Sequence, residues 1–151
     1  IVNQANRRTD SIRYPRCQRI ASLGRGLLVS EISRQRFDPG HGAVTARDID
    51  DKISRLRLFP DEKDRFDRSL TDTDGSMLVV SQFTLAGDAR KGNRPSFVRA
   101  ARPEQAIPLL ARFCERIRVH GITVEEGRFG ASMRVDLEND GPVTMQIDTD
   151  S

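Results

Sequence analysis

Met77-Leu78-Val79-Val80-Ser81-Gln82-Phe83-Thr84-Leu85 begins as a continuous apolar run and turns amphipathic at its end. A run of that kind needs a covered position, so residues 77–85 are expected to form a central strand around which the rest must pack. Gly24-Arg25-Gly26 ahead of Leu27-Leu28-Val29 marks a turn feeding a second buried strand, and Asp38-Pro39-Gly40-His41-Gly42 marks a loop. Thr45 with Asp48 resembles a helix cap, and Ile49, Ile53 and Leu56 follow at helical spacing, predicting a helix over 45–57. Leu58 and Phe59 leave that helix, and the charged segment Pro60 to Asp67 is expected to be an exposed loop.

A second helix is predicted from Pro103, a residue suited to a first helical turn, with Ala106, Leu109, Leu110, Phe113, Cys114 and Ile117 on one side and Gly121 as its stop. Pro108 falls about one turn in, where its missing N–H costs little or bends the helix. Short strands are predicted over 122–126, 132–138 and 143–148, the last two from alternation of Met133, Val135 and Leu137 and of Val143, Met145 and Ile147. Between them Glu138-Asn139-Asp140-Gly141-Pro142-Val143-Thr144 has the composition of a turn. The fold these elements allow is α+β: a curved, mostly antiparallel, barrel-like sheet with two main helices packed on it. At 151 residues, with no repeat and no Pro/Gly/Ser linker, residues 1–151 form one domain.

Composition narrows the chemistry. Cys17 and Cys114 stand 97 positions apart with no CxxC pair and no histidines at ligand spacing, so neither a disulfide framework nor a metal site is indicated. Cys114, on the apolar face of a helix, is expected to be a buried, inert thiol. His41 and His120 are the only histidines, one in a loop and one at a helix end, which leaves little for a serine or cysteine triad. There is no P-loop and no complete dinucleotide fingerprint. No apolar run reaches the ~18 residues of a membrane span, and the first ten residues lack the apolar centre of a leader. A cytoplasmic setting with no membrane contact is expected.

Charge is uneven. Residues 1 to 37 carry eight arginines against Asp10 and Glu31, a net charge of +6 in a chain whose total is +3. Arginine outnumbers lysine 22 to 3, and forked guanidiniums suit phosphate. A polyanionic partner is favoured, the plain alternative being a solvated basic surface.

Ser81-Gln82-Phe83-Thr84-Leu85 and Asn139-Asp140-Gly141-Pro142-Val143-Thr144 together resemble the two motifs, S-Q-F-T-L and N-x-G-P-x-T, of the D-aminoacyl-tRNA deacylases, at every fixed position. Flanks similar in order and spacing include GRGLLV at 24–29, LRLF at 56–59, RKGNRPSF at 90–97, AARPEQA at 100–106 and GRFGASM at 127–133. The resemblance covers about residues 20–148. Gln4 to Thr9 departs from the family's first strand, leaving Arg7 and Arg8 as candidates for an arginine that locks the Gly-Pro turn.

What the resemblance implies is a hydrolase that cleaves the ester of D-aminoacyl-tRNA without metal or organic cofactor. It implies a homodimer in which a Gly-cisPro turn, Gly141-Pro142, enters the partner's site. A checkpoint that accepts many side chains but rejects L-residues must read Cα geometry, and rigid main chain close to Cα does that by repulsion. Gly141 lacks a Cβ and Pro142 has a fixed φ, which suits them to that task. The backbone N–H groups of Phe83 and Thr84 are the candidates for stabilising the oxyanion, with Ser81, Gln82 and Thr84 lining the pocket and Val80 and Leu85 packing the core. Thr84 has no base to activate it, so water assisted by the ribose 2′-hydroxyl is the expected nucleophile. Asn139 and Thr144 belong with the Gly-Pro turn on the substrate side. Phe129, Gly130, Ala131 and Met133 are expected to hold the terminal adenosine, the alternative being a glycine-bounded turn. Arg90, Lys91 and Arg94, with the N-terminal arginines, are expected to meet tRNA phosphates. Exclusion by a clash at Cα also predicts that glycyl-tRNA is a substrate. The competing expectation is a catalytically decayed tRNA- or RNA-binding module.

Overall fold

The computed structural model describes residues 2–5, 26–30, 45–135, 137 and 139–147, with side chains described from Ile49 onward except at 141 and 142. Cys17, His41, Arg7, Arg8 and the other N-terminal arginines lie outside the described residues. Strands β1 (Val2–Ala5), β2 (Gly26–Ser30), β5 (Ser76–Val80), β6 (Thr123–Glu126) and β7 (Asn139–Met145) form one five-stranded sheet in the order β6-β5-β2-β1-β7. A two-stranded hairpin of β3 (Phe59–Pro60) and β4 (Phe66–Arg68) stands beside it, and the helices are α1 (Thr45–Arg55) and α2 (Pro103–Val119). The class is α+β, as expected.

The sheet is more evenly mixed than predicted: β2, β5 and β6 are mutually parallel, while β1 pairs antiparallel with both β2 and β7. Two of its four ladders are therefore parallel. The reason is the connections: α1 and the β3–β4 hairpin intervene between β2 and β5, and α2 between β5 and β6, which is the long crossover that parallel pairing requires.

Strand β5 explains its own sequence. Met77 and Val79 enter the main core with Phe113, Cys114 and Ile117 of α2, Ile53 of α1, Leu58, Phe59 and Leu70. Leu78 and Val80 point to the opposite face, where Met133 and Val135 cover them. A strand buried on both faces reads as an unbroken apolar run, and burying each such side chain contributes about 1.5–3 kcal/mol. The strand is shorter than expected, ending at Val80 instead of Leu85. Phe83–Ala86 form a single tight helical turn.

The segment predicted as a strand at 132–138 has no ladder among the described residues. Its alternation is real, since Met133 and Val135 seat on Leu78 and Val80. Periodicity registers burial, and burial here comes without strand pairing. The charged segment 60–67 is exposed as expected, but it is the connection of the β3–β4 hairpin. Asp61 closes it, accepting from the N–H groups of Lys63 (2.8 Å) and Arg65 (2.9 Å) and pairing with the Arg65 guanidinium (2.7 Å).

Helix α2 starts at Pro103 and stops as predicted, with Gly121 at φ +79° beyond it. Pro108 sits inside it about one turn from the start, a cheap place to lose an N–H. Where α1 meets α2, Asp50 is fully buried and bound to the Arg116 guanidinium at 2.7 Å, with His120 Nε2 3.9 Å from the same carboxylate oxygen.

Candidate active site

Because β5 and β6 are parallel, the turn after Val80 and the loop after Glu126 leave the sheet at the same end, the carboxyl end of these strands. That is where open sheets present ligand sites. The Gly127 N–H continues toward β5, donating to the Val79 carbonyl at 2.8 Å. A Cβ on Gly127 would stand 3.3 Å from the Met133 side chain and 3.4 Å from Val80, so the 127–133 loop packs closely on the end of β5, where the 81–86 turn begins.

In the first of them, Ser81 and Gln82 are half-buried, Thr84 is exposed and Phe83 is 53% exposed. Leu85, expected in the core, is 41% exposed, because the chain leaves the strand before reaching it; Val80 is buried at 6% as expected. Leu85 N–H donates to the Gln82 carbonyl and Gly87 N–H to the Thr84 carbonyl. The preceding N–H groups, of Phe83 and Thr84, have no acceptor among the described residues, as the opening of a helical turn dictates. The Gln82 side-chain amide donates to the Thr84 hydroxyl and orients it. His120, the one histidine among the described residues, precedes β6, whose start pairs with the start of β5. It is therefore at the other end of the sheet from Thr84.

In the second loop Gly130 has φ +69° and Ala131 N–H closes a turn on the Arg128 carbonyl at 3.1 Å. Both are exposed. Phe129 and Met133 are half-buried, Phe129 against the main core and Met133 against Leu78 and Val80. They combine packing with a remaining open surface.

The Asn139–Thr144 stretch is no hairpin turn between two strands. It lies within β7, where Asn139 pairs with Ala5 and Thr144 with Asn3. Two steps along β1 match five along β7, so three residues are surplus and the ladder bulges at Gly141-Pro142. Asn139 spans the bulge: its Oδ1 accepts from Val143 N–H at 3.2 Å and its Nδ2 donates to Thr144 Oγ1 at 3.2 Å. This closure gives a physical reason for Asn and Thr at the ends of the motif. β7 is three strands from β5, about 14 Å at roughly 4.8 Å per strand, and the bulge lies toward the Gly26 and Ser76 end of the sheet. Along the sheet of one chain the two motifs are apart.

The cationic segment 87–97 folds back on itself through reciprocal backbone bonds of 2.8 Å between Asp88 and Ser96. Lys91 and Arg94 are exposed on it. Arg90 is committed to Asp88 through Nε at 2.9 Å and Nη2 at 2.5 Å, and the guanidinium holds the Asp88 carboxyl far below the usual carboxylate range. The sequence signal for that ion pair is an Asp and an Arg two apart beside a turn. Cys114 is fully buried, and burial, followed by the nearby Glu126 carboxylate, pushes its thiol up to about 12. It is no nucleophile. Among the described residues no three His, Cys, Asp or Glu side chains are grouped to hold a metal, and no helix is long and apolar enough to cross a membrane.

Fold and site thus define an α+β protein that has, among the described residues, backbone donors without acceptors in a strand-end turn and no histidine beside them. Residues 11–148 match the family model described as D-Tyr-tRNA(Tyr) deacylase, and the chain belongs to that family. It is 46% identical over 131 residues to a D-aminoacyl-tRNA deacylase of Ruegeria sp. (strain TM1040), covering 87% of this chain and 81% of that one. It is 48% identical over 132 residues to a protein of the same name from Herpetosiphon aurantiacus, covering 87% and 84%. Among solved structures, one titled c-Myc DNA Unwinding Element Binding Protein superposes with TM-score 0.72 at 34% identity, covering 87% of each chain. A probable eukaryotic D-amino acid tRNA deacylase superposes with TM-score 0.72 over 92% of each chain; at 18% identity it speaks for the fold alone.

Proposed function

We propose that this protein hydrolyses the ester bond of D-aminoacyl-tRNA, releasing free D-amino acid and tRNA as a chiral proofreading step in translation. The observation that carries the proposal is the presence of two main-chain devices, the N–H groups of Phe83 and Thr84, which have no acceptor among the described residues, and the Gly141-Pro142 bulge pinned by Asn139. Their separation along one sheet supports a homodimer in which the bulge of one copy enters the other's site. Closure of the sheet into a barrel and action in the cytoplasm belong to the same proposal.

In this mechanism the aminoacyl carbonyl lies over the 81–86 turn, and the N–H groups of Phe83 and Thr84 stabilise the charge that develops on its oxygen. Water attacks, assisted by the ribose 2′-hydroxyl of the substrate, since the Thr84 hydroxyl has the Gln82 amide beside it and no base among the described residues. Ser81 and Gln82 line the pocket, and Phe129, Gly130, Ala131 and Met133 hold the terminal adenosine. Gly141 and Pro142 stand close to the substrate Cα, so an L-side chain clashes while a D-side chain or the hydrogen of glycine fits. Lys91 and Arg94 meet tRNA phosphates, whereas Arg90, paired with Asp88, shapes the hairpin that presents them.

The test is hydrolysis of D-tyrosyl-tRNA against L-tyrosyl-tRNA at fixed salt over a blank. Fast loss of the D-ester alone is expected. Equal, blank-like rates with tRNA still bound would instead indicate a decayed binding module.

A further inference from the structure

Gly87, directly after the 83–86 turn, has φ −67° and ψ 129°, which any residue can adopt. Glycine is needed there for space: a Cβ would fall 2.9 Å from Phe97 Cε1 and 2.9 Å from the Thr84 carbonyl oxygen. The Gly87 N–H donates to that same carbonyl at 3.0 Å. On the other side the Phe97 ring meets the Phe83 ring edge to face, centroids 5.1 Å apart at 76°. Phe97 therefore touches the turn at both its first residue and its exit. Its own backbone is fixed by the Asp88–Ser96 bonds just before it and by Ala100 N–H donating to its carbonyl at 3.0 Å.

We propose that Phe97 is a positioning residue for the deacylation, a prop that holds the Ser81–Ala86 turn in its working geometry through the Phe83 ring and the Gly87 backbone. It touches no substrate and acts through the turn, so it rests on the role given above to the Phe83 and Thr84 N–H groups. Because Phe97 ends the hairpin that carries Lys91 and Arg94, it also joins that cationic segment to the turn. Displacing a catalytic group by about 1 Å can lower a rate by roughly a hundredfold, and an unpropped turn has that freedom.

The experiment measures kcat and KM on D-tyrosyl-tRNA for the full-length protein at a temperature where each variant is folded by circular dichroism. Phe97→Ala is expected to lower kcat by roughly ten- to a hundredfold with KM changed less than about twofold. Phe97→Tyr, which keeps the ring, should restore the rate, and Gly87→Ala should lower kcat from the opposite side. If Phe97→Ala does not fold, Phe97→Leu replaces it with the same expectation. Wild-type kcat in the Phe97 variant that folds overturns the proposal. The role of the turn is tested separately by Phe83→Ala, which loses the ring, and Phe83→Pro, which also loses the N–H at a position where proline is tolerated. A lower rate for Phe83→Pro than for Phe83→Ala supports the N–H role. Equal rates overturn that role and the Phe97 proposal with it.

Discussion

Replacing Asn139 by alanine isolates the device that shapes the Gly141-Pro142 bulge. The substitution removes two hydrogen bonds, from Val143 N–H to Oδ1 and from Nδ2 to Thr144 Oγ1, both 3.2 Å long. Each is worth about 0.5–1.5 kcal/mol net, so the closed bulge loses about 1–3 kcal/mol. Val143 is buried at 7%, and its N–H is left without its acceptor, which favours the upper half of that range. At about 1.4 kcal/mol per tenfold, that upper half, about 2–3 kcal/mol, lowers the population of correctly shaped bulge by roughly thirty- to a hundred-and-fortyfold. The kcat/KM for D-tyrosyl-tRNA should fall by the same factor. Thr144→Ala removes only one of the two bonds and should cost roughly two- to tenfold, while Thr144→Ser should be close to wild type. The double variant Asn139→Ala/Thr144→Ala should be no worse than Asn139→Ala, because the bond the two residues share is already gone. Wild-type kcat/KM for Asn139→Ala, or full additivity in the double variant, would refute the closure argument.

Gly141→Val should abolish hydrolysis of D-tyrosyl-tRNA while tRNA binding and the sedimentation behaviour of the protein persist, and wild-type protein should deacylate glycyl-tRNA at a rate well above that for an L-aminoacyl-tRNA; a resistant glycyl ester would sink exclusion at Cα. Arg116→Met leaves the Asp50 carboxylate buried without its cation, and thermal or urea unfolding should show a loss near the lower end of about 3–5 kcal/mol, since the Arg116 side chain is itself 36% exposed. Lys91→Ala and Arg94→Ala should each flatten the salt dependence of tRNA binding, measured by filter retention across a salt series, more than Arg90→Ala does, because Arg90 is already neutralised by Asp88. The Asp61 carboxyl is held below its ordinary value by its bonds from Arg65, so the hairpin gains stability from it above the unfolded pKa of about 3.9 and loses it as pH falls through the lower folded value. Amide exchange in 61–66 against pH should show that loss, and Asp61→Asn should remove the pH dependence.

The local elements were legible because short-range physics sets them. Pro103 and Gly121 bound α2 where predicted, and Ala106, Leu110, Phe113, Cys114 and Ile117 form its buried face. The apolar run at 77–80 announced a strand covered on both sides. Both motifs stand in the sequence itself, and their fixed positions match those of the family.

The errors fall where partners across the chain decide. Met133 and Val135 alternate as a strand would, but the packing of Leu78 and Val80 uses that alternation without a ladder. Gln82 to Leu85 alternates polar and apolar residues as a strand would, yet the strand ends at Val80 and the chain turns. Asn139 to Thr144 has turn composition, but its pairing with β1 makes it a bulged strand. By itself the sequence determined period, caps and family, since these depend on neighbours within a turn or two of chain and on residues held in fixed order. The tertiary structure alone decided which strands pair and in which direction, that Asn139 reaches Thr144 across the bulge, and that Phe97 closes on Phe83, because backbone hydrogen bonds accept any sequence and only packing between distant segments selects their partners.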